Sequence, residues 1–226
     1  MIGLSRSQQD YLKALYLLES AGGAVSTSRL AGQLGVRAPS VTNMVARLAA
    51  DRLVSHSPRA GTRLTAHGRR EALRIVRRHR ILETFLVRVL GLDWSEVHDD
   101  AEILEHHISD RVLEAIDRLM KHPQEDPHGH PIPDAAGRLA RRTLVPLSEL
   151  PRGSKARVRE IQDADARRLA RWKEIGLVPG AAVWVRDVRE PEGIVELEVA
   201  GRRHVTGSAS LAGVMVQAPS GGPHGA

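Results

Sequence analysis

The sequence predicts a mainly α-helical chain that ends in a small β barrel, and three observations carry that prediction. Apolar residues recur at helical period through most of the first 120 positions, and a proline-rich stretch, His128-Gly-His-Pro-Ile-Pro133, then interrupts the pattern. Short alternating runs separated by glycine turns follow it. At 226 residues the chain is long enough for one to three domains. The composition shifts suggest one helical unit over 1–73, a second over 74–145, the barrel over 146–217 and a disordered tail over 218–226.

The first elements can be read in order. Ser7 and Asp10 have capping-box spacing, and Tyr11, Ala14, Leu15 and Leu18 continue at helical period until Gly22-Gly23. Ser26-Thr27-Ser28 caps a short helix from Arg29 to Leu34, Gly35 stops it, and a third helix runs from about Pro39 to Arg52 with Val41, Val45 and Leu48 inward. Short helix, glycine turn and longer helix make a helix-turn-helix. Leu53–His56 and Thr62–Thr65 then flank a turn-rich tip, an arginine-bearing hairpin in the position of a wing.

Charge distribution supports a polyanion partner for this part. Residues 1–73 hold 10 Lys and Arg against 4 Asp and Glu, whereas the balance is 11 against 13 over 74–145 and 12 against 10 thereafter. Candidate DNA contacts are Ser7, Pro39, Ser40 and Asn43 at helix starts and outer faces, Arg37 for a guanine or a phosphate, and Arg47, Arg59 and Arg63 for the backbone. A solvated basic helix pair is the bland alternative.

The middle third carries a different chemistry, with 7 of the 11 histidines among its acids. His79 and Glu83 stand one turn apart in a helix over 74–91. A second helix, over 95–120, is expected to place His98, Glu102, Glu105 and His106 on one partly apolar stripe. Burying carboxylates without a counter-charge is costly, so the stripe calls for a divalent cation. There is no cysteine, which restricts any metal site to nitrogen and oxygen ligands and excludes disulfide frameworks and thiol catalysis. His107, His122, His128 and His130 are read as surface histidines. Apolar positions Ile103, Leu104, Ile108, Val112, Ile116 and Leu119 exceed what one helix pair buries, which points to a homodimer.

Beyond an extended linker at 128–133, strands are expected at Lys155–Glu160, Ala182–Asp187, Ile194–Val199 and Leu211–Gln217, with a helix from about Ala164 to Ile175. No P-loop, dinucleotide fingerprint or nucleophile elbow occurs, and no apolar run is long enough for a membrane span. The start lacks a secretory pattern, since Arg6, Asp10 and Lys13 interrupt it, so a soluble cytoplasmic protein is expected, without membrane or organic cofactor.

The run RRHRILETFL together with VHDDAEILEHHISD, the HGHPIP stretch and the GLVPG turn resembles the diphtheria-toxin-repressor family of metal-dependent transcription repressors, above all its manganese-responsive branch. The likeness covers nearly the whole chain. It implies a winged helix-turn-helix, a helical dimerisation domain and an SH3-like domain. It also implies Asp10, Glu102, Glu105 and His106 as primary metal ligands, with His79, Glu83 and His98 at a neighbouring site. Of the barrel positions that supply extra ligands in the iron branch, only Asp165 can ligate here, the other being Arg168. The manganese branch has a second carboxylate where this chain has Lys13. Oxygen and imidazole donors suit Mn²⁺ or Fe²⁺. The expected function is a non-enzymatic, metal-activated repressor that binds a palindromic double-stranded DNA operator as a homodimer. A winged-helix sensor of a small organic ligand, or a carboxylate-histidine metalloenzyme, are the rival classes.

Overall fold

A computed structural model describes residues 3–57, 59–140, 142–162 and 165–217. The chain divides into two compact units. The first comprises 1–79, 105–108 and 133–139, and the second 80–104, 109–132 and 140–226.

The first unit opens with α1 (Arg6–Ser20), α2 (Thr27–Leu34) and α3 (Ala38–Ala50), followed by the hairpin β1 (Val54–Ser57) and β2 (Gly61–Leu64). Ser5, rather than Ser7, caps α1. Its hydroxyl accepts from Gln8 N and Gln8 Oε1 accepts from Ser5 N, a full capping box that leaves Asp10 inside the helix. Ser26 caps α2, and Gly35 ends it in the left-handed conformation at φ 63°, where a side chain would be strained. The β1–β2 register pairs Val54 with Leu64 and Ser57 with Gly61. Leu12, Leu15, Leu30, Val41, Leu48 and Leu53 form the centre of this core.

Helix α4 (Ala66–Arg88) begins before the expected start at residue 74 and supplies Val76 to the first core. The helix expected over 95–120 is two helices, α5 (Val97–Leu104) and α6 (Asp110–Leu119). Ser109 caps α6 by accepting from Val112 N, and Arg78 donates to the carbonyls of Glu105 and Ile108 in the break. Those carbonyls are thus satisfied by a side chain instead of by a continuing helix.

In the second unit β3 (Val145–Pro146), β4 (Lys155–Ile161), β5 (Ala182–Arg189), β6 (Ile194–Val199), β7 (Arg202–Gly207) and β8 (Val214–Gln217) form one antiparallel sheet in the order β3-β8-β4-β5-β6-β7. Its core holds Val158, Ile161, Leu169, Trp172, Leu177, Val185 and Leu197. Strand β7 was not expected, because its alternation is mostly exposed on an edge. The strand expected over Leu211–Gln217 begins only at Val214, because Leu211 closes a 3₁₀ turn over Ser208–Leu211. Helix α7 (Ala166–Glu174) lies within the expected helix, whose start at Ala164 falls outside the described residues, as does the tail from 218.

The HGHPIP stretch is a folded turn, not an extended linker. Asp126 Oδ1 accepts from the backbone N–H groups of His128 and His130 at 2.9 Å each, and Ile161 N donates to His128 O at 2.9 Å. No described helix is long and apolar enough to cross a membrane.

Candidate metal centre and DNA-reading face

Three of the expected primary ligands come together in the first unit. Asp10 projects from α1, and Glu105 and His106 lie in the break between α5 and α6, with one ligand atom from each within 4.8 Å of the others. His106 Nε2 is 2.9 Å from Asp10 Oδ1 and 3.6 Å from Glu105 Oε1. Because α5 ends at Leu104, Glu105 and His106 are not on a continuous helical stripe with His98 and Glu102, contrary to the expectation.

The hydrogen bonds around His106 decide what this arrangement accepts. Gln9 Nε2 donates to Leu4 O at 3.0 Å, which turns Gln9 Oε1 toward the imidazole, 2.9 Å from its Nδ1. Oε1 only accepts, so Nδ1 carries the hydrogen. In the neutral ring Nε2 is then a lone pair. It is buried, makes no hydrogen bond among the described residues, and faces a carboxylate oxygen. Either a proton on Nε2 or a metal cation satisfies two such facing atoms, and two oxygens with one imidazole fit a hard or borderline divalent cation. The Gln9 contact to Nδ1 is the usual outer support of a ligating histidine.

Glu105 is buried with both oxygens engaged. Lys13 Nζ donates to Oε1 at 2.7 Å, and His79 Nδ1 is 2.6 Å from Oε2. Burial would raise its pKa, but the His79 hydrogen bond and the His79 and Lys13 charges outweigh it and hold the carboxyl below its ordinary value. Lys13 itself is buried.

A second cluster lies in the second unit. Glu83, Asp126 and His128, all buried, have ligand atoms within 4.8 Å of one another. Glu83 Oε1 is 3.3 Å from His98 Nδ1, and its Oε2 is 3.8 Å from His128 Nδ1. His128 Nε2 lies 2.9 Å from the acceptor-only carbonyl of Trp94, which fixes Nε2 as the donor and points Nδ1 at Glu83. Burial would lower the His128 pKa, yet the hydrogen bond and charge of Glu83, with Asp126 behind it, raise it overall. His128 is therefore not a surface histidine, and neither it nor Asp126 was foreseen as a candidate ligand. The only sequence signal was the density of acids and histidines around HGHPIP. By contrast, His107 and His122 are exposed as expected, and His130 is half-buried beside Asp126.

The remaining candidates are placed as follows. His79 and Glu83 stand one turn apart on α4, and Glu102 is half-buried in α5. Asp165 is exposed and caps α7, accepting from the N–H groups of Arg167 and Arg168. Its carboxylate is thus engaged in a structural task. Ser7, Arg37, Pro39, Ser40, Asn43, Arg47, Arg59 and Arg63 are all exposed, five of them on or beside α3 and two on the β1–β2 hairpin.

Residues 3–62 match the iron dependent repressor N-terminal DNA binding domain, and residues 65–134 match the iron dependent repressor metal binding and dimerisation domain. An iron-dependent repressor IdeR of Mycobacterium leprae is 35% identical over 221 residues, 91% of this chain and 94% of its own. The chain belongs to the iron-dependent repressor family. Family membership makes it a metal-dependent, DNA-binding transcriptional repressor and not an enzyme. A diphtheria toxin repressor of Corynebacterium efficiens is similar at 35% identity, covering 72% of this chain and 73% of that one. Residues 145–218 match the FeoA domain. Among solved structures, a manganese-dependent transcriptional repressor in complex with manganese superposes with a TM-score of 0.88 at 38% identity, covering 93% of this chain and 99% of that one. The winged helix-turn-helix, helical dimerisation domain and small β domain expected from the sequence are thus those of the iron-dependent repressor family.

Proposed function

We propose that this repressor is activated by Mn²⁺, with Fe²⁺ as the alternative ion, bound across Asp10, Glu105 and His106. The observation that carries the reading is the buried Nε2 of His106 facing Asp10 Oδ1 at 2.9 Å. A bound ion would sit between this imidazole nitrogen and the carboxylate oxygens that face it. Asp10 belongs to the helix that opens the DNA-reading unit, while Glu105 and His106 are continuous in sequence with α5 and α6. Tying these segments together raises the population of the DNA-competent arrangement.

A second ion site is assigned to Glu83, His98, Asp126 and His128, all of the second unit. Asp165 is left out of it because its carboxylate caps α7. Exposed apolar residues on and around α5 and α6, including Val89, Leu90, Ile103, Val112 and Leu119, are assigned to a homodimer interface. A two-fold dimer reads an interrupted palindrome, with Asn43 and its neighbours on α3 at base edges and Arg47, Arg59 and Arg63 on phosphates. Domain limits of 1–73, 74–145 and 146–217, a cytoplasmic location and control of metal-uptake genes complete the reading.

Selection of sites from random DNA duplexes, run in Mn²⁺ and in chelator, tests it. Enrichment of a palindrome in Mn²⁺ alone is expected. Equal enrichment in chelator overturns metal activation.

A further inference from the structure

Lys13 is a cation placed inside a site read as holding another cation. It lies on the core face of α1, three residues after Asp10, with the residue only 7% exposed. Its Nζ is 2.7 Å from Glu105 Oε1 and 3.5 Å from His79 Nδ1. The oxygen it holds is the same one that lies 3.6 Å from His106 Nε2. Lys13 and an ion bound to Asp10, Glu105 and His106 therefore draw on one carboxylate oxygen.

Two positive charges sharing one oxygen repel, and inside a protein that repulsion is screened far less than in water. The ammonium also has a task when no ion is present. A fully buried Glu105 carboxylate needs a counter-charge, and His79 on the opposite oxygen supplies one only when it is protonated. Lys13 is tethered to α1, with its ammonium already seated on Glu105 Oε1.

We propose that Lys13 is a built-in competitor of the activating ion: it neutralises Glu105 in the metal-free protein and raises the free divalent-cation concentration at which the repressor responds. The inference rests on the assignment of Asp10, Glu105 and His106 as the primary centre. Lys13 would act through Glu105 and not as a ligand, since an ammonium has no lone pair to offer.

The test is calorimetric titration of Mn²⁺ into the full-length chain, in a Glu83→Gln, His128→Ala background that removes the second cluster. Lys13→Met keeps the length of the side chain and removes its charge, and it should bind Mn²⁺ at least tenfold more tightly than the background protein. Lys13→Arg keeps the charge and should stay within about threefold. Unchanged or weaker binding by Lys13→Met overturns the proposal, because it would make Lys13 a support of Glu105 rather than a rival of the ion. Should Lys13→Met be too unstable without metal to titrate, the Mn²⁺-induced rise in Tm serves instead. A rise larger than in the background protein supports the competitor role, and an equal or smaller rise overturns it. His106→Ala separates the two levels of inference. If it leaves the background protein's Mn²⁺ binding intact, the primary centre itself is misassigned and the proposal falls with it. If it abolishes binding while Lys13→Met fails to tighten it, the proposal alone falls.

Discussion

His106 Nε2 faces Asp10 Oδ1 at 2.9 Å while Gln9, the residue beside Asp10 on α1, holds the other ring nitrogen at 2.9 Å. One turn of helix thus supplies both the group opposite the imidazole lone pair and the group that orients it. In the metal-activated reading, Asp10→Ala or His106→Ala should reduce DNA affinity in Mn²⁺ to the level seen in chelator. Neither residue belongs to the hydrophobic core cluster, so circular dichroism should show a folded protein. Fluorescence anisotropy with a selected duplex measures the loss. Retention of a Mn²⁺-dependent gain in either variant would be incompatible with the assignment.

Gln9 allows a finer test, because it touches the metal centre only through His106. Gln9→Leu removes the acceptor for Nδ1–H and leaves the tautomer and ring orientation unset. Mn²⁺ affinity should fall by about 10- to 100-fold, the usual cost of losing an outer-shell partner. Gln9→Glu restores an acceptor at the same position and should recover most of the affinity in a calorimetric titration.

The exposed face of α3 should separate positioning from reading. Arg47→Ala should weaken binding to all duplexes by a similar factor and reduce the salt slope of log K by about 1. Asn43→Ala should instead change which bases are preferred, at a cost of about 1–3 kcal/mol for the favoured site. Competition assays at two salt concentrations distinguish them. A change of base preference in the Arg47 variant with no change in salt slope would contradict its phosphate role.

These features were unequally visible in the sequence, for physical reasons. The helix-turn-helix was legible because Ser26 and Gly35 impose local conformations that no distant contact needs to reinforce. The break at Glu105–Ile108 was not, because apolar spacing runs straight through it to Leu113 and Ile116. What ends α5 is Arg78, a residue of another helix, donating to carbonyls that the next turn would otherwise satisfy. His128 was misjudged for a similar reason. Its burial depends on a turn built by Asp126 and on the carbonyl of Trp94, more than thirty residues earlier. Glu105 and His106 were legible from their spacing and Asp10 from family resemblance, but the ion pair of Lys13 with Glu105 depends on a side chain crossing between segments 92 residues apart.

Acid stability offers a check on a contact of the second unit. Lys173 donates to Asp93 Oδ2 at 2.5 Å, and this hydrogen bond, followed by those from Ser95, lowers the Asp93 pKa from 3.8 to about 2. A depressed carboxylate pKa contributes stability that is complete above the unfolded value and is lost as pH falls from about 4 to about 2. Asp93→Asn should therefore lower Tm slightly at neutral pH and converge with the parent near pH 2. Both side chains are substantially exposed, so the difference should be small and should shrink further in high salt. A difference that grows toward low pH would contradict the sign.

Gly129 tests whether the HGHPIP turn builds the second cluster. Its φ of +85° is poorly tolerated by residues with a Cβ, and a Cβ there would lie 1.9 Å from the carbonyl oxygen of Arg159 on β4. The nearest atoms are the Arg159 backbone and the Pro179 ring, and neither is the end of a flexible side chain that could yield, so Gly129→Ala must displace the turn. The cost should be about 3 kcal/mol or more, which for a chain of this size lowers Tm by roughly 6–12 °C. The turn also carries Asp126 and His128, whose groups meet Glu83. The same variant should therefore lose the second Mn²⁺ equivalent, while the first, at Asp10, Glu105 and His106, persists. Isothermal titration at a temperature where both proteins are folded reads the two equivalents separately. Loss of stability with both equivalents intact would show that the turn supports the fold without contributing to an ion site.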